Sequence, residues 1–379
     1  MAKLSDICEI INEKIKLNNQ INKALCDTYV STENMLPNKQ GIIAAVSTPL
    51  KGSITAYKKS DTLVSNIRPY FKKIWYAENN GGCSNDVLVF RAKQGINSYF
   101  LYYNLADDKF FEYSMKTSKG TKMPRGDKKS IMKYPVKKFD LITQLKSIIT
   151  LKLIDEKIKL NNAINNNLEQ QASILVSKHF ESLTSTVKVG TILSFVNGFA
   201  FKSGTYQEKG RYRIITIKNV QDSKIDTQGA ACINDIPSRM KPNCILSMGD
   251  VLISLTGNVG RVGIVCENNL LLNQRVAKIV PKDIKLLPLI YFYYRLPSTK
   301  SSLGLISKGT AQQNLSPYEA LDIQIPYEGK QSLEVSRLLQ PMFSTIFQNN
   351  IENIQLAKIR DLLLPYLISG ELDVSNIEI

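Results

Sequence analysis

The chain has 379 residues, 43% of them hydrophobic, enough to build packed cores in about two or three domains and to exclude wholesale disorder. Its 49 basic against 33 acidic residues leave a formal net charge of +16, which favours a polyanionic partner, with nucleic acid the commonest one for a soluble protein. The lone histidine, His179, beside Lys178 near the end of a predicted helix, reads as a surface or capping residue and leaves little for His-based triads or His-rich metal sites.

The six cysteines, Cys8, Cys26, Cys83, Cys232, Cys244 and Cys266, include no C-x-x-C pair and read as reduced thiols. The start, MAKLSDICEI, carries Asp6 and Glu9 where a signal peptide needs an apolar run. The most apolar stretch, Leu286 to Leu296, is too short to span a membrane and is interrupted by Arg295. No membrane association and a cytoplasmic location are therefore expected.

An internal repeat organises the chain. Ser118-Lys119-Gly120-Thr121 recurs as Ser307-Lys308-Gly309-Thr310, and 307 − 118 = 189. Asp61, Leu63 and Ser65 match Asp250, Leu252 and Ser254 at the same offset, as Glu78-Asn79-Asn80 matches Glu267-Asn268-Asn269. Tyr102-Tyr103 matches Tyr293-Tyr294 at 191, and Ile7 and Asn34 match Ile192 and Asn219 at 185. One segment breaks the register: Glu13-Lys14-Ile15-Lys16-Leu17-Asn18-Asn19 recurs unchanged at Glu156 to Asn162, an offset of 143.

In chain order, each half opens with a mixed segment of short β-like runs, such as Asp86–Arg91 and Asp250–Leu255, punctuated by Gly, Asn and Pro turns. Apolar-aromatic runs at Tyr99–Leu105 and Leu289–Leu296 predict buried helices. A basic or polar loop follows, and each half closes on a long helix. In the first, Leu151, Ile154, Ile158, Asn161, Asn165, Leu168, Ala172 and Leu175 alternate spacings of three and four, a coiled-coil seam. In the second, Leu339, Met342, Ile346, Asn349, Asn353, Leu356, Arg360 and Leu363 repeat the pattern, with two Asn at the same steps. Polar seam residues weaken a coiled coil but fix its register and partner. Pro341 predicts a helix start or a kink nearby. A duplicated chain packed about a pseudo-twofold axis would run these helices antiparallel, with the mixed domains at opposite ends. The expected architecture is α+β: a first mixed domain over residues 1–140, a helix over 141–183, a second mixed domain over 184–328 and a final helix over 329–379.

Candidate nucleic-acid contacts cluster in the loops. Lys119-Gly120-Thr121-Lys122-Met123-Pro124-Arg125-Gly126-Asp127-Lys128-Lys129 is densely cationic. Lys and Arg neutralise phosphates, and Arg also reads guanine. The matching loop, Lys308-Gly309-Thr310-Ala311-Gln312-Gln313-Asn314, carries amides, which suit adenine. Arg68, Lys72 and Lys73 in the first half and Lys218, Asn219, Arg261 and Arg275 in the second are further candidates. Thr256-Gly257-Asn258-Val259-Gly260-Arg261-Val262-Gly263 follows a strand but matches neither G-x-x-x-x-G-K-[ST] nor G-x-G-x-x-G, so it reads as a tight turn. The chain has no Pro-Pro pair, which an adenine methyltransferase active-site motif would need; an unrecognised DNA-modifying site is the alternative class.

Gly249-Asp250-Val251-Leu252-Ile253-Ser254-Leu255-Thr256-Gly257, Leu272-Asn273-Gln274-Arg275-Val276-Ala277 and Gly309-Thr310-Ala311-Gln312-Gln313-Asn314-Leu315-Ser316 resemble the specificity subunits of type I restriction–modification systems. So do the helix entry Ile154 to Asn162 and the ending Leu363-Leu364-Pro365-Tyr366-Leu367-Ile368-Ser369-Gly370. The resemblance covers essentially the whole chain. It implies two target-recognition domains, each reading half of a bipartite site on double-stranded DNA. It also implies two spacer helices that dock two methyltransferase subunits, with restriction subunits as further partners. No cofactor would belong to this chain: S-adenosylmethionine would sit in the methyltransferase, ATP and Mg in the restriction subunit. The first half departs from the pattern at Asn66-Ile67-Arg68-Pro69, where the second has Thr256-Gly257.

Overall fold

A computed structural model describes residues 2–18, 25, 27–120, 122–307 and 314–377. The chain divides into two units, Met1–Lys157 with Leu356–Ile379, and Ile158–Gln355. Each combines two larger sheets, one two-stranded sheet, short helices and one stretch of each of two long helices.

In the first unit one sheet runs in the order Cys8–Ile11, Val87–Ala92, Thr62–Ser65, Ile74–Tyr76, antiparallel throughout. Alternation sends its side chains into two cores. Leu63 and Val89 join Val30, Met35, Tyr57 and Cys83 towards a second sheet, made of Lys14–Lys16, Ser53–Tyr57, Gly81–Cys83 and Tyr29–Val30. Val64, Leu88 and Phe90 join Phe100, Leu101, Phe110 and Phe111 of the helices Ser98–Ala106 and Asp108–Lys116. A strand buried on both faces has to be apolar at successive positions, which explains the run Val87-Leu88-Val89-Phe90.

The second unit repeats this order with Leu193–Asn197, Val276–Pro281, Val251–Ser254 and Val262–Ile264, adding Ser223–Lys224 at the edge. Val251 and Ile253 face the helices Leu287–Arg295 and Pro297–Ile306, while Leu252 faces the sheet containing Tyr212–Ile215 and Leu270–Leu272. The repeat extends to single hydrogen bonds. The Asp61 carboxylate accepts from the Lys58 N–H at 2.7 Å and binds Arg91. The Asp250 carboxylate accepts from the Ser247 N–H at 2.9 Å and binds Lys278. Ahead of each aspartate the backbone turns left-handed, at Ser60 (φ 75°) and Gly249 (φ 90°). Asn34 and Asn219 also do one job: each accepts from a backbone N–H three residues earlier, Ser31 or Thr216, and donates to a later carbonyl, Ile43 or Asp226.

Two details differ from the sequence reading. The short helices begin at Ser98 and Leu287, an offset of 287 − 98 = 189, so Tyr102 corresponds to Tyr291, and the match of the tyrosine pairs at 191 is a coincidence of composition. The repeated heptapeptide has two conformations. Lys14–Lys16 is a strand paired with Ser53–Tyr57, whereas Glu156 to Asn162 lies inside the long helix. Its side chains are compatible with either, and the pairing partner decides.

The long helices span Leu141–Ser182 and Gly329–Ser369. The second begins well ahead of Pro341, which lies exposed within it. In the second unit Asn161 meets Asn353, Asn165 meets Asn349 and His179 meets Ser332, so the helices run antiparallel. In the first unit Asp155 meets Arg360 in the same sense. Replacing Gly249 by Ala should lower the unfolding free energy by about 1–2 kcal/mol, the penalty for a side chain in left-handed backbone. The added Cβ itself meets nothing closer than Phe347 Cζ at 3.9 Å. Urea denaturation of the full chain measures it; an unchanged midpoint would contradict the assigned turn.

Candidate nucleic-acid interface

In each unit the turn that follows the strand Thr62–Ser65 or Val251–Ser254 is held against the loop after the short helices. In the first unit Ile67 bridges Arg125, the Arg68 N–H donates to the Pro124 carbonyl at 2.8 Å and the Gly126 N–H to the Asn66 carbonyl at 3.2 Å. In the second, Thr256 bridges Asn314, the Leu315 N–H donates to the Leu255 carbonyl at 2.8 Å, and Thr256 Oγ1 donates to Asn314 Oδ1 at 2.8 Å. The bridges are equivalent, since 67 + 189 = 256 and 125 + 189 = 314. Gly126 permits the close approach, because a Cβ there would lie 2.7 Å from Ile131 Cδ1 and 2.8 Å from Asn66 Oδ1.

The cationic loop is a small hairpin, in which Lys119 and Arg125 exchange backbone hydrogen bonds at 2.9 and 3.0 Å. Lys119, Lys122, Arg125, Lys128 and Lys129 are exposed. Lys119 lies 3.8 Å from Asp127 and Arg125 3.1 Å from Asp86; pairs this exposed contribute little and can be exchanged for phosphate. Asp127 caps the turn Lys128–Ile131 by accepting from the Ser130 N–H at 2.9 Å, which fixes where Lys128 and Lys129 emerge. Two further lysines stand with them. The strand Ala2–Lys3 pairs with Pro135–Val136, so Lys3 and Lys133 line the same shallow pocket as Lys128 and Lys129. Sequence spacing gave no sign of Lys3, which is brought there by a pairing between chain segments far apart.

Other candidates are committed inside the fold. Lys72 Nζ binds Asp108 at 2.8 Å, as Lys39 does. Burial opposes it, but the hydrogen bonds from these two lysines leave the Asp108 carboxyl below its ordinary range. Lys73 Nζ donates to the Thr32 carbonyl at 2.6 Å, and burial pushes its pKa down. Asn219, buried, spends its amide on the turn described above. These three therefore hold structure instead of facing solvent. Arg68 is half-buried, with a left-handed backbone (φ 50°) where the second unit has Gly257 (φ 74°).

In the second unit Lys218 and Arg275 are exposed, the latter left-handed at φ 71°, and Asn314 is exposed with its carbonyl engaged by Thr256. Arg261 Nη1 donates to Gln221 Oε1 at 3.0 Å. The glycine-rich segment is a strand-to-strand turn closed on Ser254, whose hydroxyl donates to the Asn258 carbonyl and accepts from the Arg261 N–H. Thr121, Lys308, Thr310, Gln312 and Gln313 lie outside the described residues.

The helix pair combines apolar and amide layers. Leu151 and Ile154 are buried in the first unit, Leu151 in a cluster with Leu364 and Leu367. Ile158 and Leu356 are half-buried. In the second unit Leu168, Leu339, Met342 and Ile346 pack in one cluster. Val176 is buried there, not Leu175, which faces solvent. Between them, Asn161 Nδ2 donates to Asn353 Oδ1 at 2.9 Å, Asn349 Nδ2 to Asn165 Oδ1 at 2.8 Å and Asn165 Nδ2 to Asn350 Oδ1 at 3.1 Å. The charge at the Arg360 seam position is matched: Arg360 binds Asp155 at 2.8 Å, and Asp155 also accepts from the Tyr103 hydroxyl. His179 is buried, not superficial, with Nε2 3.1 Å from Ser332 Oγ.

Asn165→Leu should cost about 1–3 kcal/mol, because it leaves the amides of Asn349 and Asn350 short of partners. Replacing those two by Leu as well should recover most of the loss; strictly additive losses in urea denaturation would contradict the amide layer. Burial lowers the His179 pKa from its ordinary value of 6.5, against the Glu328 charge. The unfolded chain then binds the proton better, so stability should fall as pH drops below about 6.5 and hold above it. His179→Gln should remove that slope between pH 7 and 5, as read by thermal unfolding across pH.

A sequence model described as "Type I restriction modification DNA specificity domain" matches residues 1–170 and again 182–356. The HindI specificity subunit of a type I restriction enzyme from Haemophilus influenzae is 32% identical over 132 residues, 34% of this chain. The match covers only 26% of that relative's length. The crystal structure of a type I restriction–modification S subunit from M. genitalium superposes with a TM-score of 0.55 at 15% identity, covering 97% of this chain and 95% of the other. At that identity the likeness speaks for the fold.

Proposed function

Because the chain belongs to the type I restriction modification DNA specificity domain family, we propose that it is the DNA-reading, non-catalytic subunit of a restriction–modification complex, each unit reading one half of a bipartite duplex site. The observation that carries this reading is the equivalent seating of two loops of different chemistry. The first is edged by the exposed cations Lys119, Lys122, Arg125, Lys128 and Lys129; the second ends on the amide of Asn314. Cations supply sequence-independent affinity through phosphates, and amides and Arg supply base discrimination.

The methyl transfer would come from partner methyltransferase subunits carrying S-adenosylmethionine, and cleavage from restriction subunits using ATP and Mg, in the cytoplasm. The long helices offer docking faces. Leu160, Ile164 and Ile174 are exposed on one side of the first helix, away from the buried Asn161, Asn165 and Ala172. Ile359, Leu362 and Tyr366 form an exposed stripe at helical spacing on the second. Apolar helix faces left open after the core is made are suited to partner helices.

Lys128→Ala with Lys129→Ala should weaken binding to all duplexes alike and reduce the salt dependence by roughly one unit of slope for each phosphate no longer neutralised. Gln312→Ala should instead relax one half of the site by about 1–3 kcal/mol. Equal losses on specific and random DNA from the Gln change would contradict the readout role. The alternative, a DNA-modifying enzyme, predicts methyl transfer by the purified chain alone. A non-catalytic DNA reader predicts none until a methyltransferase subunit is added, and loss of that subunit's co-purification in Leu160→Asp/Ile164→Asp with DNA binding retained.

A further inference from the structure

The first unit carries a feature that the second lacks. The turn Asn66 to Lys73 ends in two adjacent aromatic side chains, Tyr70 and Phe71, which are 47% and 38% exposed although apolar surface of this size is normally buried. Their rings lie 4.6 Å apart. The turn presenting them is rigid. Pro69 fixes its φ, and Arg68 and Lys72 on either side of the helical turn Pro69–Phe71 are both left-handed at φ 50°. A second loop braces it: Asn38 and Lys39, also left-handed at 55° and 61°, donate their N–H groups to the Phe71 and Lys72 carbonyls at 2.8 and 2.9 Å. Asp108 then clamps Lys39 and Lys72 together at 2.8 Å each, and Lys73 is tied to the Thr32 carbonyl. Four non-glycine residues in left-handed backbone are a cost that surrounding structure must hold in place, and such strain collects at functional positions.

The company of this tip points to its partner. The same turn is hydrogen-bonded to the cationic loop through Arg68 and Asn66, and Arg68 Nε has no hydrogen-bond partner among the described residues. Rigid exposed aromatics beside exposed cations suit a polyanion that also offers flat apolar faces, and stacked bases are such faces. A protein partner would find apolar rings with Lys73 Nζ 5.8 Å from the Phe71 centroid, on a turn whose base is bonded to the cationic loop, charges that would be desolvated at cost. In the second unit the corresponding turn carries Gly257, Val259 and Gly260, and Val259 packs inward against the core.

We infer that Tyr70 and Phe71 form a wedge that enters the DNA of the half-site read by the first unit and stacks on, or partly unstacks, one base step, so that this half-site is selected for deformability as well as for base edges. The inference rests on the DNA-reading function proposed above. Its test is selection of duplexes from a random-sequence pool by the full chain and by Tyr70→Ala/Phe71→Ala, followed by titration with selected duplexes carrying 2-aminopurine. The wild-type chain should brighten 2-aminopurine at one step in one half-site. The double variant should lose that signal and about tenfold or more in affinity for the selected site, with binding to random DNA nearly unchanged. Tyr70→Phe, which keeps the ring, should behave as wild type and guards against misfolding of the double variant. A double variant with unaltered base preference and unaltered 2-aminopurine signal would overturn the wedge while leaving DNA reading intact. A double variant that keeps both but no longer retains a methyltransferase subunit would overturn it in favour of a protein dock. A wild-type chain that enriches no sequence would overturn the wedge and the underlying function together.

Discussion

The backbone bridge between the turn after Thr62–Ser65 or Val251–Ser254 and the loop after the short helices is the constraint on which the functional surface depends. It is made twice, Ile67 to Arg125 and Thr256 to Asn314, by main-chain atoms, although the two pairs of side chains differ. What varies around it is the side chains: cations in one unit, the amide of Asn314 in the other, aromatics on one turn and glycines on the other. A scaffold that fixes the backbone and leaves side chains free is what a duplicated recognition module needs, because the loops can diverge without disturbing the cores that Leu63 and Val64, or Leu252 and Ile253, fill on the two faces of one strand.

Net charge is therefore a poor guide to where a polyanion binds. Of the cations in the first unit, Lys39 and Lys72 share the Asp108 carboxylate, Lys73 is held by a carbonyl and Arg91 is paired with the buried Asp61. Exposed lysines are spread over the unit, but Lys122, Lys128 and Lys129 stand close together in sequence, and Lys128 and Lys129 share a pocket with Lys3 and Lys133. Ion pairs between exposed groups, such as Lys119 with Asp127, hold little energy and leave the cation exchangeable. The same distinction explains the seam: Arg360 sits where an apolar residue is expected because Asp155 and the Tyr103 hydroxyl complete its surroundings.

Much of this was legible in the sequence wherever a periodic or repeated pattern carried it. The 189 offset located the strands, short helices and loops of one unit from the other, and the matched Asn steps located the amide layer. Patterns failed where the deciding partner is distant in sequence. The heptapeptide Glu13 to Asn19 and its copy Glu156 to Asn162 are identical in sequence, yet a neighbouring strand makes Lys14–Lys16 β and a paired helix makes the copy α. Asn219 looked like a readout residue because nothing local shows that its amide closes a turn, although its match to Asn34 was the available signal. Lys72 and Lys73 looked free because Asp108 and Thr32 lie elsewhere in the chain. Tyr70 and Phe71 carried no sign of exposure in their spacing, and only the left-handed turn beneath them turns them outward.

The central proposal is that one duplicated scaffold reads two separate DNA half-sites for a partner that modifies adenine. Methylome sequencing of host DNA with this gene intact and deleted tests it most directly. The account predicts methylated adenines within a motif of two specified blocks separated by a fixed run of unspecified base pairs, all lost on deletion. Methylation unchanged by deletion, or confined to a single contiguous motif, would contradict it.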